Sequence, residues 1–110
     1  MNILFVCSRN KWRSATAESI YKNNQEHIVR SGGTSPSAVV RVSAKNIFWA
    51  DLIFVMEKKH KQILIRKFPD EAGQKKIVVL GIEDKYEYMD TELIEIIKRS
   101  VEPYLPDLNG

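Results

Sequence analysis

A cysteine and an arginine near the start of the chain, Cys7 and Arg13, enclose five residues. A thiolate is a strong nucleophile, and a guanidinium can hold two oxygens of a phosphate group in a planar fork of N–H donors. If the intervening chain wraps, its backbone N–H groups converge on one point, and a following helix directs its positive end there. Such a cradle suits a tetrahedral oxyanion and favours the thiolate form of Cys7. The spacing therefore predicts in-line attack on a bound phosphate, giving a phosphocysteine that water hydrolyses.

Each of these residues also has an ordinary interpretation. A cysteine at the end of a strand is often a small buried hydrophobe. Arg13 and Lys11 could be solvated charges at a helix start, and Trp12 could be a packing residue. What favours chemistry is the position of the loop, because an apolar run at 3–6 precedes it and a helical pattern at 14–23 follows it.

The elements that must position this loop follow from an alternation of short apolar runs and helical stretches. The apolar runs predict buried strands, and between them the spacing of apolar residues predicts helices. In the second helix, Val40, Ala44, Ile47 and Phe48 should form the buried face. We expect strands at 3–6, 27–30, 52–56 and 77–80, and helices at 14–23, 40–48, 58–68 and 91–101.

This alternation predicts an α/β fold: a single three-layer domain over 1–110, with a four-stranded parallel sheet covered by helices on both faces. We expect the strand order 2-1-3-4. In such sheets ligands bind beyond the carboxyl ends of the strands, where the strand order reverses. The loop after the first strand is thus the expected site.

Composition limits the function classes. The chain has 110 residues, 44% of them hydrophobic, and a net charge of +3, which suits an anionic partner or reflects a solvated surface. A single cysteine excludes an internal disulfide and a Cys-rich zinc site, and it suggests a cytoplasmic location. We expect no metal, no cofactor and no membrane partner. We also expect no nucleic-acid partner, because the basic Lys58–Lys61 run is typical of a solvated helix face.

The motif around the loop resembles the signature of the low-molecular-weight protein tyrosine phosphatase family. The similarity continues through Ser-Gly-Gly-Thr at 31–34, the third apolar run with its flanks at 50–57, and Ile-Glu-Asp-Lys-Tyr at 82–86. The matching positions of the first motif are Phe5, Cys7, Asn10, Arg13, Ser14, Ala17 and Glu18.

The resemblance implies a role for each matching residue. Cys7 would be the nucleophile and Arg13 the phosphate clamp, Ser14 would hydrogen-bond the Cys7 sulfur, and Asn10 would brace the loop through Ser14. Ser14 and Asn10 could equally serve as a helix cap and a turn residue. The phosphate-binding loop would comprise Ser8, Arg9, Asn10, Lys11, Trp12, Arg13 and Ser14, and a phosphate or sulfate ion should bind in it.

The general acid is expected between the fourth strand and the last helix. By the same resemblance Asp84 would protonate the leaving group and later activate water. Asp90 is the alternative acid, although it directly precedes the helix and is well placed to cap it. Tyr86 and Tyr88 could line the pocket and stack on an aromatic substrate, or pack on the surface.

Several positions depart from the family pattern. Arg9 replaces a customary glycine and could carry backbone strain or contact an anion. Trp12 stands where many members have a second cysteine, and Lys85 follows Asp84 where a proline is usual. The chain is also short after Thr34, in a region that helps wall the substrate pocket.

We therefore expect a cysteine-dependent phosphatase acting on phosphotyrosine in a protein or on a small aryl phosphate. One alternative is a vestigial module that binds oxyanions without hydrolysis. Another is a phosphocarrier resembling the sugar-transport B subunits, although their loops need no arginine at the position of Arg13. Arsenate reductases share the loop but recruit further cysteines, and this chain has only one.

Overall fold

The computed structural model describes residues 1–105. The last five residues of the predicted 1–110 domain, from Pro106 onward, lie outside the described residues. Strands and helices alternate along the chain, as expected. None of the helices within residues 1–105 is long and apolar enough to cross a membrane. The elements are β1 (Asn2–Cys7), α1 (Arg13–Tyr21), β2 (Ile28–Gly33), α2 (Ala44–Trp49), β3 (Leu52–Val55), α3 (Lys58–Lys67), α4 (Pro69–Ala72), β4 (Lys76–Val79) and α5 (Thr91–Val101).

The four strands form one parallel sheet in the order β2-β1-β3-β4, which confirms the predicted topology. The central strand β1 pairs with β2 on one side and β3 on the other, with Cys7 opposite Gly33 and Val6 opposite Val55. Because the strands are parallel, their carboxyl ends share one edge. The strand order reverses between β1 and β3, and the loop after Cys7 begins at that point.

Side chains of β1 alternate between two hydrophobic cores, one on each face of the sheet. Phe5 and its neighbours on one face pack with α1 and α5, including Ala17 and Leu93. On the other face Val6 packs with the layer formed by α2, α3 and α4, including Leu64. Burying a side chain of this size contributes roughly 1.5–3 kcal/mol to the stability of the fold. Packing on both faces therefore fixes the position of β1, from which the Cys7 loop begins.

Strand β2 is longer than predicted, because Ser31, Gly32 and Gly33 belong to it rather than ending it. This sequence is typical of a turn, but its partner β1 continues to Cys7, and the ladder extends with it. Gly33 must also approach the Cys7 loop closely: a Cβ there would lie 2.4 Å from the Ser8 carbonyl oxygen. Glycine is therefore needed at position 33 for the close approach of β2 to the Cys7 loop, and not for a turn.

The second helix was predicted to begin too early. It starts at Ala44, because Ser43 caps it in a reciprocal capping box with Asn46. Val40 lies before the helix, and Phe48 is 76% exposed, so Ile47 is the one residue of the predicted apolar face that is buried. The short helix α4, which starts with Pro69 at its first turn, was not predicted.

Candidate active site

The Cys7 sulfur lies buried at the end of β1 and contacts two hydrogen-bonding groups. The backbone N–H of Asn10 donates to it over 3.2 Å, and the Ser14 hydroxyl lies 3.0 Å away. The Asn10 side-chain amide donates to the Ser14 hydroxyl oxygen at 2.8 Å. Because that oxygen already accepts a hydrogen bond, the Ser14 proton is free to point at the sulfur. Both donors stabilise a thiolate.

Asn10 is the residue of the loop that adopts a left-handed backbone, with φ of 56°. Asparagine tolerates this conformation better than most residues. Its side chain also bonds the Ser31 hydroxyl at 2.8 Å, which ties the loop to β2. Arg9 is outside the left-handed region, so the backbone strain considered for it falls on Asn10 instead.

The loop carbonyl groups point away from the cradle, towards the segment after β2. Opposed peptide dipoles then direct the following N–H groups inward, where an oxyanion would sit. These carbonyls accept backbone hydrogen bonds as follows: Cys7 from Thr34 at 2.9 Å, Ser8 from Ser35 at 2.8 Å, and Arg9 from Val39 at 2.9 Å.

Arg13 is 2% exposed, and the ends of β3 and β4 hold its guanidinium. Its Nη1 donates to Glu57 Oε1 at 2.5 Å and to the Ile82 carbonyl at 2.8 Å. Burial alone would raise the pKa of Glu57, but the hydrogen bond and charge of Arg13, with the nearby cation Lys59, hold it below its usual range. An ionised Glu57 therefore fixes the fork of Arg13, and Nη2 makes no hydrogen bond within residues 1–105.

A pocket opens above the sulfur, and Asp84 lies on its wall. The lining residues are Cys7, Arg9, Lys11, Trp12, Arg13 and Asp84. The Asp84 carboxylate is 3.8 Å from Arg13 Nε and half-exposed. Cys7, Arg13 and Asp84 thus line one cavity. Asp90 instead accepts hydrogen bonds from the N–H groups of Glu92 and Leu93, which confirms its predicted capping of α5.

No family model and no curated protein matches the sequence, but solved structures match the fold. SP-PTP, the low molecular weight protein tyrosine phosphatase from Streptococcus pyogenes, is 17% identical with a TM-score of 0.79, covering 96% of this chain and 91% of that one. The tyrosine phosphatase Wzb from Escherichia coli K30, in complex with phosphate, is 18% identical with a TM-score of 0.74 and 94% of each chain covered. A C7S mutant of YwlE arginine phosphatase with a phosphorylated active site serine is 23% identical with a TM-score of 0.73, covering 96% of each chain.

The chain has the fold of the low-molecular-weight protein tyrosine phosphatases. Within this phosphatase fold, Tyr88 packs on the surface, one of the two places that the sequence allowed for it, whereas Tyr86 lies neither on the surface nor at the pocket. Tyr86 is buried in the core beside α5, and the Tyr88 hydroxyl bonds Ser19 at 2.6 Å. Neither tyrosine is among the residues that line the pocket above Cys7. Exposed Trp12 is the aromatic side chain at the pocket.

Sequence reasoning missed a buried histidine beneath the loop of this phosphatase fold. His60 Nδ1 accepts the Glu57 backbone N–H at 3.0 Å, and Nε2 lies 2.9 Å from the Ser8 hydroxyl. Burial, reinforced by the charge of Arg13, lowers the pKa of His60 to about 4. The ring is therefore neutral at pH 7, with its proton on Nε2 donated to Ser8. Its place three residues after Glu57, within the first turn of α3, was the available signal.

Proposed function

We propose that this chain is a cysteine-dependent phosphatase that hydrolyses phosphotyrosine or other aryl phosphate monoesters through a phosphocysteine. The observation that carries the proposal is the single pocket shared by Cys7, Arg13 and Asp84. Similarity in fold to tyrosine and arginine phosphatases supports it. The partner is a phosphorylated protein or a small aryl phosphate, and the unprotected thiol suits the reducing cytoplasm.

In the first step the Cys7 thiolate attacks phosphorus, and a sulfur–phosphorus bond forms as the bond to the aryl oxygen breaks. Loop N–H groups and the Arg13 guanidinium stabilise the charge on the non-bridging oxygens. Asp84, in its protonated form, gives its proton to the departing phenolate oxygen. The products are a phosphocysteine and a phenol.

In the second step Asp84, now a carboxylate, takes a proton from water. The oxygen attacks phosphorus, and the sulfur–phosphorus bond breaks to release inorganic phosphate and the thiolate. The Ser14 hydroxyl and the Asn10 N–H stabilise that thiolate as a leaving group, at 3.0 and 3.2 Å from the sulfur. The hydrogen bonds that favour attack therefore also favour departure.

The position of Asp84 distinguishes hydrolysis from the alternatives. A phosphocarrier passes its phosphoryl group to another molecule and needs no carboxylate to activate water. A vestigial module that only binds an oxyanion needs neither a general acid nor a nucleophile beside the bound ion. The presence of Asp84 beside Arg13, in the pocket of the sulfur, favours turnover.

The test measures hydrolysis of p-nitrophenyl phosphate by the wild type, Cys7→Ser and Arg13→Lys, with and without a chelator. We expect chelator-resistant, orthovanadate-sensitive activity that Cys7→Ser abolishes. Arg13→Lys should lose on the order of 10²-fold or more, because an ammonium cannot form the planar fork. Rapid acid quench of Ser14→Ala should reveal accumulated phosphocysteine, because its thiolate leaves less readily.

Two results would overturn the proposal: activity that survives Cys7→Ser, or a folded wild type that binds vanadate without turnover. Accumulation of a stable phosphocysteine in the wild type would instead support the carrier. Parallel assays of a phosphotyrosine peptide and a phosphoarginine peptide determine which bond is hydrolysed.

A further inference from the structure

A second cavity adjoins the pocket above the sulfur and shares two lining residues with it. Its lining residues are Arg9, Lys11, Ser37 and Val39. Arg9 and Lys11 line both cavities, whereas Cys7, Arg13 and Asp84 line only the pocket above the sulfur. Arg9 and Lys11 thus also face space that the hydrolysed phosphate does not fill.

The two cations at this junction have no internal counter-ion. Arg9 and Lys11 are both exposed, and within residues 1–105 neither has a carboxylate within salt-bridge distance. Arg13, the other cation of the catalytic pocket, is already held by Glu57. The Lys11 ammonium sits 5.3 Å from the centroid of the Trp12 ring, which restrains it at the rim. The second cavity therefore has positive charge available to bind an anion.

The wall of this cavity is held to the catalytic loop by the backbone. The Arg9 carbonyl accepts from the Val39 N–H at 2.9 Å, and the Ser8 carbonyl accepts from Ser35 at 2.8 Å. The Ser35 and Ser37 hydroxyls are 2.9 Å apart, so Ser37 is positioned by its own turn. The distance between the catalytic loop and a polar group in the second cavity is thus fixed by the fold, which a selective subsite requires.

We propose that the substrate carries a second anionic group, a carboxylate or a second phosphate, which Arg9 and Lys11 bind beside the phosphate that is hydrolysed. The proposal rests on the function proposed above, because it assigns the substrate class of the same site. In a protein substrate the second anion is a glutamate or aspartate next to the phosphorylated residue. In a small substrate it is a second phosphate on the same molecule.

The experiment compares two phosphotyrosine peptides that differ only in flanking residues, Glu in one and Gln in the other. The readout is the ratio of their kcat/KM values, which cancels any change in basal activity. We expect the wild type to favour the Glu peptide by about 5-fold or more at low salt, and the preference to shrink with ionic strength. An aryl bisphosphate measured against the monophosphate tests the small-molecule source.

The double variant Arg9→Gln/Lys11→Gln should bring both ratios close to one. Lys45→Gln, an exposed cation on α2, is the matched control and should retain both preferences. A wild type without preference for either second anion, or a double variant that keeps it, overturns the subsite.

Binding measurements on Cys7→Ala separate this proposal from the proposed function. If the wild type fails to turn over but Cys7→Ala still binds the Glu peptide more tightly, the phosphatase proposal fails and the subsite remains. If turnover is Cys7-dependent but neither kcat/KM nor binding depends on the second anion, the subsite fails and the phosphatase remains.

Discussion

The hydroxyl proton of Ser14 is oriented by a chain of side chains that begins on α1. Glu18 accepts the proton of the Ser31 hydroxyl, and the Ser31 oxygen then accepts from the Asn10 amide. The same amide donates to Ser14, which leaves the Ser14 proton for the sulfur. The Ser31 hydroxyl therefore has a defined direction, and the Ser14 hydroxyl has the Cys7 sulfur at 3.0 Å as its nearer acceptor and the Gly32 carbonyl oxygen at 3.5 Å as the other.

The assignment of Asp84 as the acid predicts a contrast between two conservative substitutions. Asp84→Asn should lower turnover of phenyl phosphate, a poor-leaving-group substrate, by roughly 10²-fold or more, since the amide cannot supply the proton. It should reduce the first step less for a substrate with a good leaving group, and it should remove the basic limb of the pH–rate profile. Steady-state assays across pH provide the measurement.

Asp90→Asn is the matched control, because asparagine also caps helices. It should cost about 1 kcal/mol of stability or less and leave turnover close to the wild-type value. If Asp90→Asn abolishes turnover in a folded protein while Asp84→Asn is mild, the two roles are reversed.

The neutral His60 predicts that stability falls in mild acid. A histidine pKa lowered to about 4 when folded, against an ordinary value of 6.5, means that the unfolded chain binds a proton first. The contribution of neutral His60 to the free energy of unfolding is therefore present in full above pH 6.5. It is lost as the pH falls towards 4, by roughly 3 kcal/mol at most. Urea unfolding at several pH values gives the measurement.

Acidic groups elsewhere also titrate in this range, so the informative quantity is the stability difference between the wild type and His60→Gln. That difference should shrink between pH 7 and pH 5. A difference that does not depend on pH would show that the pKa of His60 is the same in the folded and the unfolded chain, and a difference that grows towards pH 5 would show that His60 is charged in the folded protein.

At the residue scale, the sequence predicted the residues close to Cys7 and Asp84 from beyond β4, but it missed Glu57 and His60, which follow β3. Asn10 and Ser14 lie on the same loop and helix start as Cys7, so the resemblance of this one motif to the family signature was sufficient to predict their contacts with each other and with the sulfur. The contacts of Glu57 and His60 with the loop depend on the end of β3 lying beside the end of β1. That proximity is a property of the packed sheet, which no local pattern encodes.

The close contact between Gly33 of β2 and the Cys7 loop predicts that adding one methyl group, in Gly33→Ala, destabilises the protein and weakens anion binding. Gly33→Ala would place Cβ 2.4 Å from the Ser8 carbonyl oxygen and 3.0 Å from the Arg9 carbonyl carbon. The Ser8 and Arg9 backbone atoms cannot yield without distorting the loop, and the Ala38 methyl group also lies in the way. We expect loss of stability on the scale of overpacking, roughly 1–3 kcal/mol, together with at least tenfold weaker vanadate binding.

Gly81→Ala, at a glycine that follows β4, is the comparison variant for Gly33→Ala. A Cβ at Gly81 meets nothing within 4 Å, but φ of 73° is unfavourable for alanine. We expect a cost of roughly 1–2 kcal/mol in urea unfolding with much less effect on vanadate affinity. Equal loss of affinity in both variants would contradict a specific role for the contact at Gly33.

Apolar periodicity predicted each strand and the four longer helices, because buried strands and amphipathic helices have different repeats. The short helix α4 was missed, and the larger boundary errors lie at β2 and α2, where tertiary contacts and a cap determine the boundaries. Ser31 to Gly33 has turn chemistry, yet hydrogen bonds to β1 make it a strand. Val40 fits the helical repeat, yet the capping box of Ser43 starts α2 after it.

Considered as a whole, the molecule puts its reactive loop between two regular elements and an irregular segment. The segment 34–39 contains no helix or strand, and it binds the outer side of the loop through three backbone hydrogen bonds. These bonds are the same ones that turn the loop N–H groups inward. Loosening the segment therefore also disorders the anion cradle.

This coupling makes inorganic phosphate a ligand for local folding as well as for the site. Phosphate at about 100 times its dissociation constant should stabilise the bound conformation by about 2.7 kcal/mol. Hydrogen exchange of the Thr34, Ser35 and Val39 amides should slow accordingly, although these groups point at the loop carbonyls and not at the ion. Amides of α5 that open independently serve as the internal reference.

Slowing confined to the loop itself would show that the two segments open separately. If they open together, phosphate bound in the cradle protects a segment of the chain that it never contacts. The region after β2 would then be most accessible to proteases while the site is empty, and susceptibility to cleavage would report the occupancy of the site.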